Sequence, residues 1–298
     1  MTDTDGTPVA GAEVRYADPM RSAMFRRGDP VAMVSQHYGT KTDAEGRYQL
    51  LVPAGDALVV VHAGKEYATT TMPQGKVMGY FGMGALNAKH QFEAKSGGTA
   101  EANMQLQAAS KSPIVVVDPD GKPLTGCRMV GLAPGQIWYE DGKKKHDTHE
   151  FELLAFDPKR RRNVAAYHEE RRLIGMLTNE ALTKEQPWVL QLQPEARITG
   201  QLVDVDGVPR AGVAIYVTSD LPPDPGSMGF ISGQMEQLAG TKETDAEGRF
   251  ELIGLMPGAT FTVRTLDEAI ADRRVLAKDV KVEAGEVKDL GKVAGDRF

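Results

Sequence analysis

Apolar side chains recur at every second position through the C-terminal third of the chain. Ile198 and Leu202 flank the small Gly200, and Ile215/Val217, Phe250/Leu252 and Phe261/Val263 repeat the same spacing. A period of two places alternate side chains on one face of a strand. Leu58 to Val61 and Ile114 to Val117 are short continuous apolar runs, as in strands covered on both faces. Long amphipathic helical patterns are absent, and short helical turns are expected only over Met83 to Phe92 and Asp267 to Arg274. The predicted fold class is all-β.

The strands are punctuated by a repeated motif. Asp3-Thr4-Asp5-Gly6-Thr7-Pro8 recurs as Asp118-Pro119-Asp120-Gly121-Lys122-Pro123, and again as Asp204-Val205-Asp206-Gly207-Val208-Pro209. Each copy continues with two residues, a glycine and an alternating apolar stretch. The copies start 115 and then 86 residues apart, so the unit is a whole module rather than a solenoid turn. A second motif, Thr42-Asp43-Ala44-Glu45-Gly46-Arg47-Tyr48, pairs with Thr244-Asp245-Ala246-Glu247-Gly248-Arg249-Phe250, each followed by a proline and a glycine. The middle copy keeps only the strand-like stretch from Phe151 to Phe156 before Asp157-Pro158. Asp-Gly supplies the positive φ of a hairpin turn, aspartate caps local backbone, and the proline suits a strand mouth or edge.

These motifs resemble the carboxypeptidase regulatory-like domains, whose modules have the transthyretin-like (prealbumin-like) β-sandwich fold. The resemblance covers residues 1–110 and 195–298 well and 111–194 in part. It implies tandem transthyretin-like or Ig-like β-sandwich modules at 1–110, 111–194 and 195–298. It also implies a structural or binding accessory role, often in exported proteins, with no catalytic residues to carry over. The third copy has Arg197-Ile198-Thr199-Gly200-Gln201-Leu202-Val203 ahead of its motif, whereas the first has Met1-Thr2. The first module is therefore expected to have a short or absent opening strand, and the chain to be a segment of a longer one.

Composition narrows the function classes. The formal net charge is −6, and the basic clusters Lys143–Lys145 and Arg160–Arg162 sit near Glu140, Asp141, Glu169 and Glu170. No basic field favours a nucleic acid. No apolar run approaches the ~18 residues of a membrane span, so this segment is not expected to insert into a membrane. Cys127 is the one cysteine, which precludes an intrachain disulfide; it stands among alternating small residues of a strand and reads as core.

Candidate chemistry falls away on inspection. D-x-D-G suggests calcium, but an EF-hand loop needs a glutamate six residues after the glycine, where Ala12, Cys127 and Val213 stand. His90-Gln91-Phe92-Glu93 and His149-Glu150-Phe151-Glu152 read H-x-x-E, the ligand pair of zinc carboxypeptidases, which also need a distant histidine and an α/β catalytic domain; after His149 only His168 remains, and nothing around it is helical α/β. His168-Glu169-Glu170-Arg171-Arg172 has arginine where H-E-x-x-H needs its second ligand. The hairpin also resembles that of intradiol dioxygenases, whose iron needs an H-x-H that this sequence lacks. Neither a G-x-S-x-G nor a phosphate-cradling glycine loop is present. No catalytic, metal or cofactor residues are expected.

The expected role is a non-catalytic structural or ligand-presenting segment of a larger bacterial envelope or secreted protein, extracytoplasmic in location. The alternative is a carbohydrate- or peptide-binding module set, for which Trp138 and Trp188 are the available tryptophans. Its partner would be a protein or a polysaccharide. Two stretches, 17–41 and 218–243, stand at the same topological point and exceed ordinary sandwich loops of ~2–5 residues. Met24 and Phe25 in one, with Met228 and Phe230 in the other, are the candidate contact residues, because exposed apolar loops on a rigid frame favour recognition.

Overall fold

A computed structural model describes residues 1–17, 39–70, 86–110, 112–132, 144–158, 162–178, 187–221, 242–266 and 274–294. Among the described residues there are strands, turns and bridges but no helix. The protein is all-β.

Compactness divides the chain into two units. One comprises residues 1–112, 133–137 and 153–160, and the other 113–132, 138–152 and 161–298. The second unit holds the second and third copies of the motif. In its C-terminal part, Ala196–Val203 is the centre of a three-stranded sheet, antiparallel to Arg249–Leu255 and parallel to Val287–Ala294. A four-stranded sheet runs Lys242–Glu243, Ala214–Ser219, Thr260–Leu266, Val275–Lys281. Between them Ile198, Leu202, Ile215, Val217, Phe250, Leu252, Phe261 and Val263 pack in one core, as their alternation predicts.

The same order recurs. In the middle copy Pro113–Val117 is antiparallel to Glu150–Glu152 and parallel to Trp188–Gln191. Its other sheet runs Lys145–His146, Cys127–Val130, Asn163–His168, Leu173–Thr178, Gln193–Pro194. In the first unit, Gly39–Lys41, Glu13–Ala17, Gly55–His62 and Ala88–Ala94 form the four-stranded sheet. Its opposing sheet is reduced to Thr2–Asp3, parallel to Gln105–Leu106.

Several expectations need correction. Ala88–Ala94 is a strand paired along its length with Gly55–His62, not part of a helical turn; ladder hydrogen bonds satisfy its backbone where a single helical turn leaves most groups unpaired. Residues 83–85 and 267–273 lie outside the described residues. The stretches 17–41 and 218–243 are strand at described positions near their ends, and residues 18–38 and 222–241 lie outside the described residues. Ala17 ends one strand and Gly39–Lys41 pairs back onto Glu13–Arg15, while Ser219 and Lys242–Glu243 trim the other.

Candidate functional site

The motif carboxyls act first on their own backbone. Asp3 Oδ1 accepts from the N–H groups of Asp5 and Thr7 at 2.9 and 2.8 Å. Asp118 does the same with Asp120 and Lys122, both at 3.0 Å, and Asp204 with Asp206 and Val208, both at 2.9 Å. Each turn closes with the glycine N–H donating to the first aspartate carbonyl, and Gly6, Gly121 and Gly207 have φ of 83, 78 and 82°. The return arm is a single bridge to the proline, Thr2 to Pro8, Val117 to Pro123 and Val203 to Pro209, before the chain enters the other sheet. The proline takes the non-hydrogen-bonded place of that bridge, so its missing N–H costs nothing, and the next residue donates across it: Val9 to Met1, Leu124 to Val116 and Arg210 to Leu202.

The second motif is built likewise. Asp43 Oδ1 accepts from Glu45 and Arg47, and Asp245 Oδ1 from Glu247 and Arg249. The preceding threonine is buried and ties two segments: Thr42 Oγ1 accepts from Ala12 N–H and donates to Val9 carbonyl, while Thr244 Oγ1 serves Val213 and Arg210. In the middle copy, where this motif is lost, the Gly126 N–H donates to the His146 carbonyl instead.

The residues that suggested a metal are dispersed. His90 stacks on Phe92 with ring centroids 5.7 Å apart, and His146 meets Phe151 edge-on at 5.3 Å. His146 and His149 are half-buried, and His149 lies 3.8 Å from Glu150. His168 is buried and its Nδ1 accepts from the Arg171 N–H at 3.2 Å. Among the described residues no group of three or more histidine, cysteine or acidic side chains is placed to hold a metal. Cys127 is fully buried, and burial pushes its thiol up to about 11. Trp188 is buried too, so it offers no exposed stacking face. Met24, Phe25, Met228, Phe230 and Trp138 lie outside the described residues.

Two features have no counterpart in the sequence motifs. Glu195 is buried between the second and third copies within the second unit. Its Oε2 accepts from the Tyr167 hydroxyl at 2.9 Å and from the Gly254 N–H at 3.0 Å, while Arg172 stands 3.8 Å from Oε1. Tyr167, Ala165 and Ile174 of the second copy lie in the same apolar core as Ile198 and Leu252 of the third. Burial first, then the bond to Glu195, push the Tyr167 phenol well above its ordinary range.

The other feature is the run 47–52 in the first unit. Residues 47–52 alternate exposed and half-buried in step with residues 249–254, yet they belong to no strand. Among the described residues no main-chain hydrogen bond joins 48–52 to a neighbour. Leu51 is 84% exposed. The Tyr48 hydroxyl reaches across to the Ala102 carbonyl at 2.8 Å. Met1 lies where Leu202 lies in the third copy: its amino group donates to the Gly46 carbonyl as the Leu202 N–H donates to Gly248.

No protein-family model matches the sequence, and no curated protein matches it either. Solved structures similar to the chain include the Bacillus anthracis TIE protein (11% identity, 99% of this chain and 49% of that one, TM-score 0.23). A streptococcal ancillary pilin is similar at 14% identity over 96% of this chain and 92% of its own, with a TM-score of 0.23. BcpA, the major pilin subunit of Bacillus cereus, is similar at 13% identity over 100% and 97%, with a TM-score of 0.23. The chain spans about half the length of the TIE protein. At this TM-score the likenesses carry no argument for a shared role.

Proposed function

We propose that this chain is a non-catalytic structural or ligand-presenting segment of a larger extracytoplasmic bacterial protein, made of carboxypeptidase regulatory-like modules at about 1–110, 111–194 and 195–298. The observation that carries this reading is the use of the motif carboxyls. In all three D-x-D-G copies the leading aspartate turns inward on its own backbone, with the same two donors each time. Such residues shape turns and leave little capacity for chemistry. The strand order repeated through the chain supports the module division. No helix among the described residues is long and apolar enough to cross a membrane.

The test is location. An epitope tag placed in the native gene should be accessible to antibody on intact cells and removed by external protease. A tag detected only after lysis of both the envelope and the cytoplasm would overturn the reading. Sugar binding loses ground because Trp188 is buried.

A further inference from the structure

In the second copy, Asn163–His168 and Leu173–Thr178 pair as a hairpin whose loop is Glu169, Glu170, Arg171 and Arg172, since His168 lies opposite Leu173. Each of the four has an ion partner outside the loop. Glu169 meets Arg128 at 2.7 Å and Glu170 meets Lys145 at 3.1 Å, both on the second copy's own sheet. Arg171 lies 3.0 Å from Asp118 in the D-x-D-G turn, and Arg172 lies 3.8 Å from Glu195, where the third copy begins. Burial ranks these pairs. Glu169 and Glu170 are open to water, where an ion pair contributes little, whereas Asp118 and Glu195 are buried.

Arg172 is held in place against its own backbone preference. Its φ is 51°, in the left-handed region that glycine occupies freely and a β-carbon disfavours. Its N–H donates to the Glu169 carbonyl at 3.2 Å, and its carbonyl accepts from the Glu195 N–H at 2.8 Å. The Glu195 side chain is 2% exposed, and its bonds from Tyr167 and Gly254 both fall on Oε2. Oε1 is buried and accepts no hydrogen bond among the described residues. The Arg172 guanidinium, 55% exposed, stands beside that oxygen. A buried carboxylate without a counter-charge is costly, which is a reason for arginine where turn geometry alone asks for glycine.

We infer that the loop Glu169–Arg172 is a charge latch on the joint between the second and third copies: Arg172 keeps Glu195 buried, and loss of that contact lets the joint open locally. When Glu195 turns out to water, the Gly254 N–H and the Tyr167 hydroxyl lose their acceptor. Ala165, Tyr167 and Ile174 then lose their share of the core that holds Ile198 and Leu252. The open form presents these side chains as a new apolar face, and the latch sets how often that form is populated. Salt acts on the same contact, because the guanidinium is half in water.

Hydrogen exchange of the full chain reads the joint at the Gly254 amide, whose acceptor is Glu195. The Leu202 amide, bonded to the Gly248 carbonyl near the other end of Ala196–Val203, is the reference for wider unfolding. Arg172→Gly should speed exchange at Gly254 about tenfold and leave Leu202 unchanged. A loop that merely tolerates arginine gives the opposite sign, since glycine relieves the positive φ. In Glu195→Gln no carboxylate needs a counter-charge, so adding Arg172→Gly should not speed Gly254 further. Raising sodium chloride to about 1 M should speed Gly254 in the parent chain and not in Arg172→Gly. Exchange at Gly254 that is unchanged or slowed by Arg172→Gly, or that rises together with Leu202, would overturn the inference.

Discussion

Glu195 and Tyr167 are joined by a 2.9 Å hydrogen bond inside the second unit, and the same carboxyl oxygen accepts the Gly254 N–H. Glu195 stands at the passage from the second copy of the motif to the third, so its two donors come from either side of that passage. A polar group buried this deeply is expensive unless its partners are in place, so the node couples the two copies rather than merely decorating the joint. Tyr167→Phe should destabilise the chain by about 1–3 kcal/mol, and Glu195→Ala by at least as much. A double-mutant cycle read by urea unfolding should give a coupling above ~0.5 kcal/mol. Additive losses would show that the bond contributes nothing of its own.

The same node gives an alkaline signature. The fold favours the neutral Tyr167 phenol, whose value is raised by burial and then by Glu195. Its contribution is therefore complete below the ordinary tyrosine value of 10.0 and is lost as pH rises toward the higher folded value. Ultraviolet titration should show one tyrosine ionising later than the others, and Tyr167→Phe should remove it. A chain in which all exposed and buried phenols titrate together would contradict the buried bond.

At acid pH Asp118 is one of the carboxyls whose folded value is lowered, Glu286 being another. The Lys122 N–H chiefly, then Arg171 and the Asp120 N–H, hold the Asp118 carboxyl below the usual range against the opposing effect of burial. That contribution is full above the ordinary value of 3.8 and is lost as pH falls through the depressed one. Arg171→Met should move the acid-unfolding midpoint to higher pH. An unchanged midpoint would show that the backbone donors alone set it.

Two glycines separate conformational strain from steric clash. Gly207 and Gly248 both have positive φ, 82 and 72°. A Cβ at Gly207 meets nothing within 4 Å, whereas one at Gly248 would lie 2.5 Å from the Leu202 carbonyl oxygen. Gly207→Ala should cost about 1 kcal/mol from backbone conformation alone. Gly248→Ala should cost clearly more, because backbone of the central strand must shift. Equal losses in thermal or urea unfolding would mean that the Leu202 strand yields freely.

The paired threonines provide a comparison across copies. Thr244→Val removes a buried hydroxyl that serves Val213 and Arg210, leaving both without that partner. The loss should be about 1–3 kcal/mol. Thr42→Val breaks the corresponding bonds to Ala12 and Val9 and should act in the first unit by a similar amount. Hydrogen exchange at the Ala12 and Val213 amides locates each effect.

Much of the fold is written in local chemistry. Period-two alternation places Ile198, Leu202, Phe250 and Leu252 in one core, and the repeated D-x-D-G fixes three turns whose aspartates bond as their spacing suggests. Those features act over a few residues, so sequence alone determines them. The helical turn expected before Phe92 fails for the opposite reason: its ladder partner, Gly55–His62, is supplied from about 30 residues away. Glu195 carries no motif at all. Its role exists because folding brings Tyr167, 28 residues before it, and Gly254, 59 after it, to one carboxyl oxygen. The run beside Tyr48 is half legible. The motif of residues 42–48 matches that of 244–250, but only the tertiary structure shows that residues 47–52 join no strand, with Leu50 half-buried and Leu51 exposed. Alternation and turn chemistry are encoded residue by residue. Which backbone groups end without a partner depends on pairing across the whole sheet, and that is settled only when the sheet is assembled.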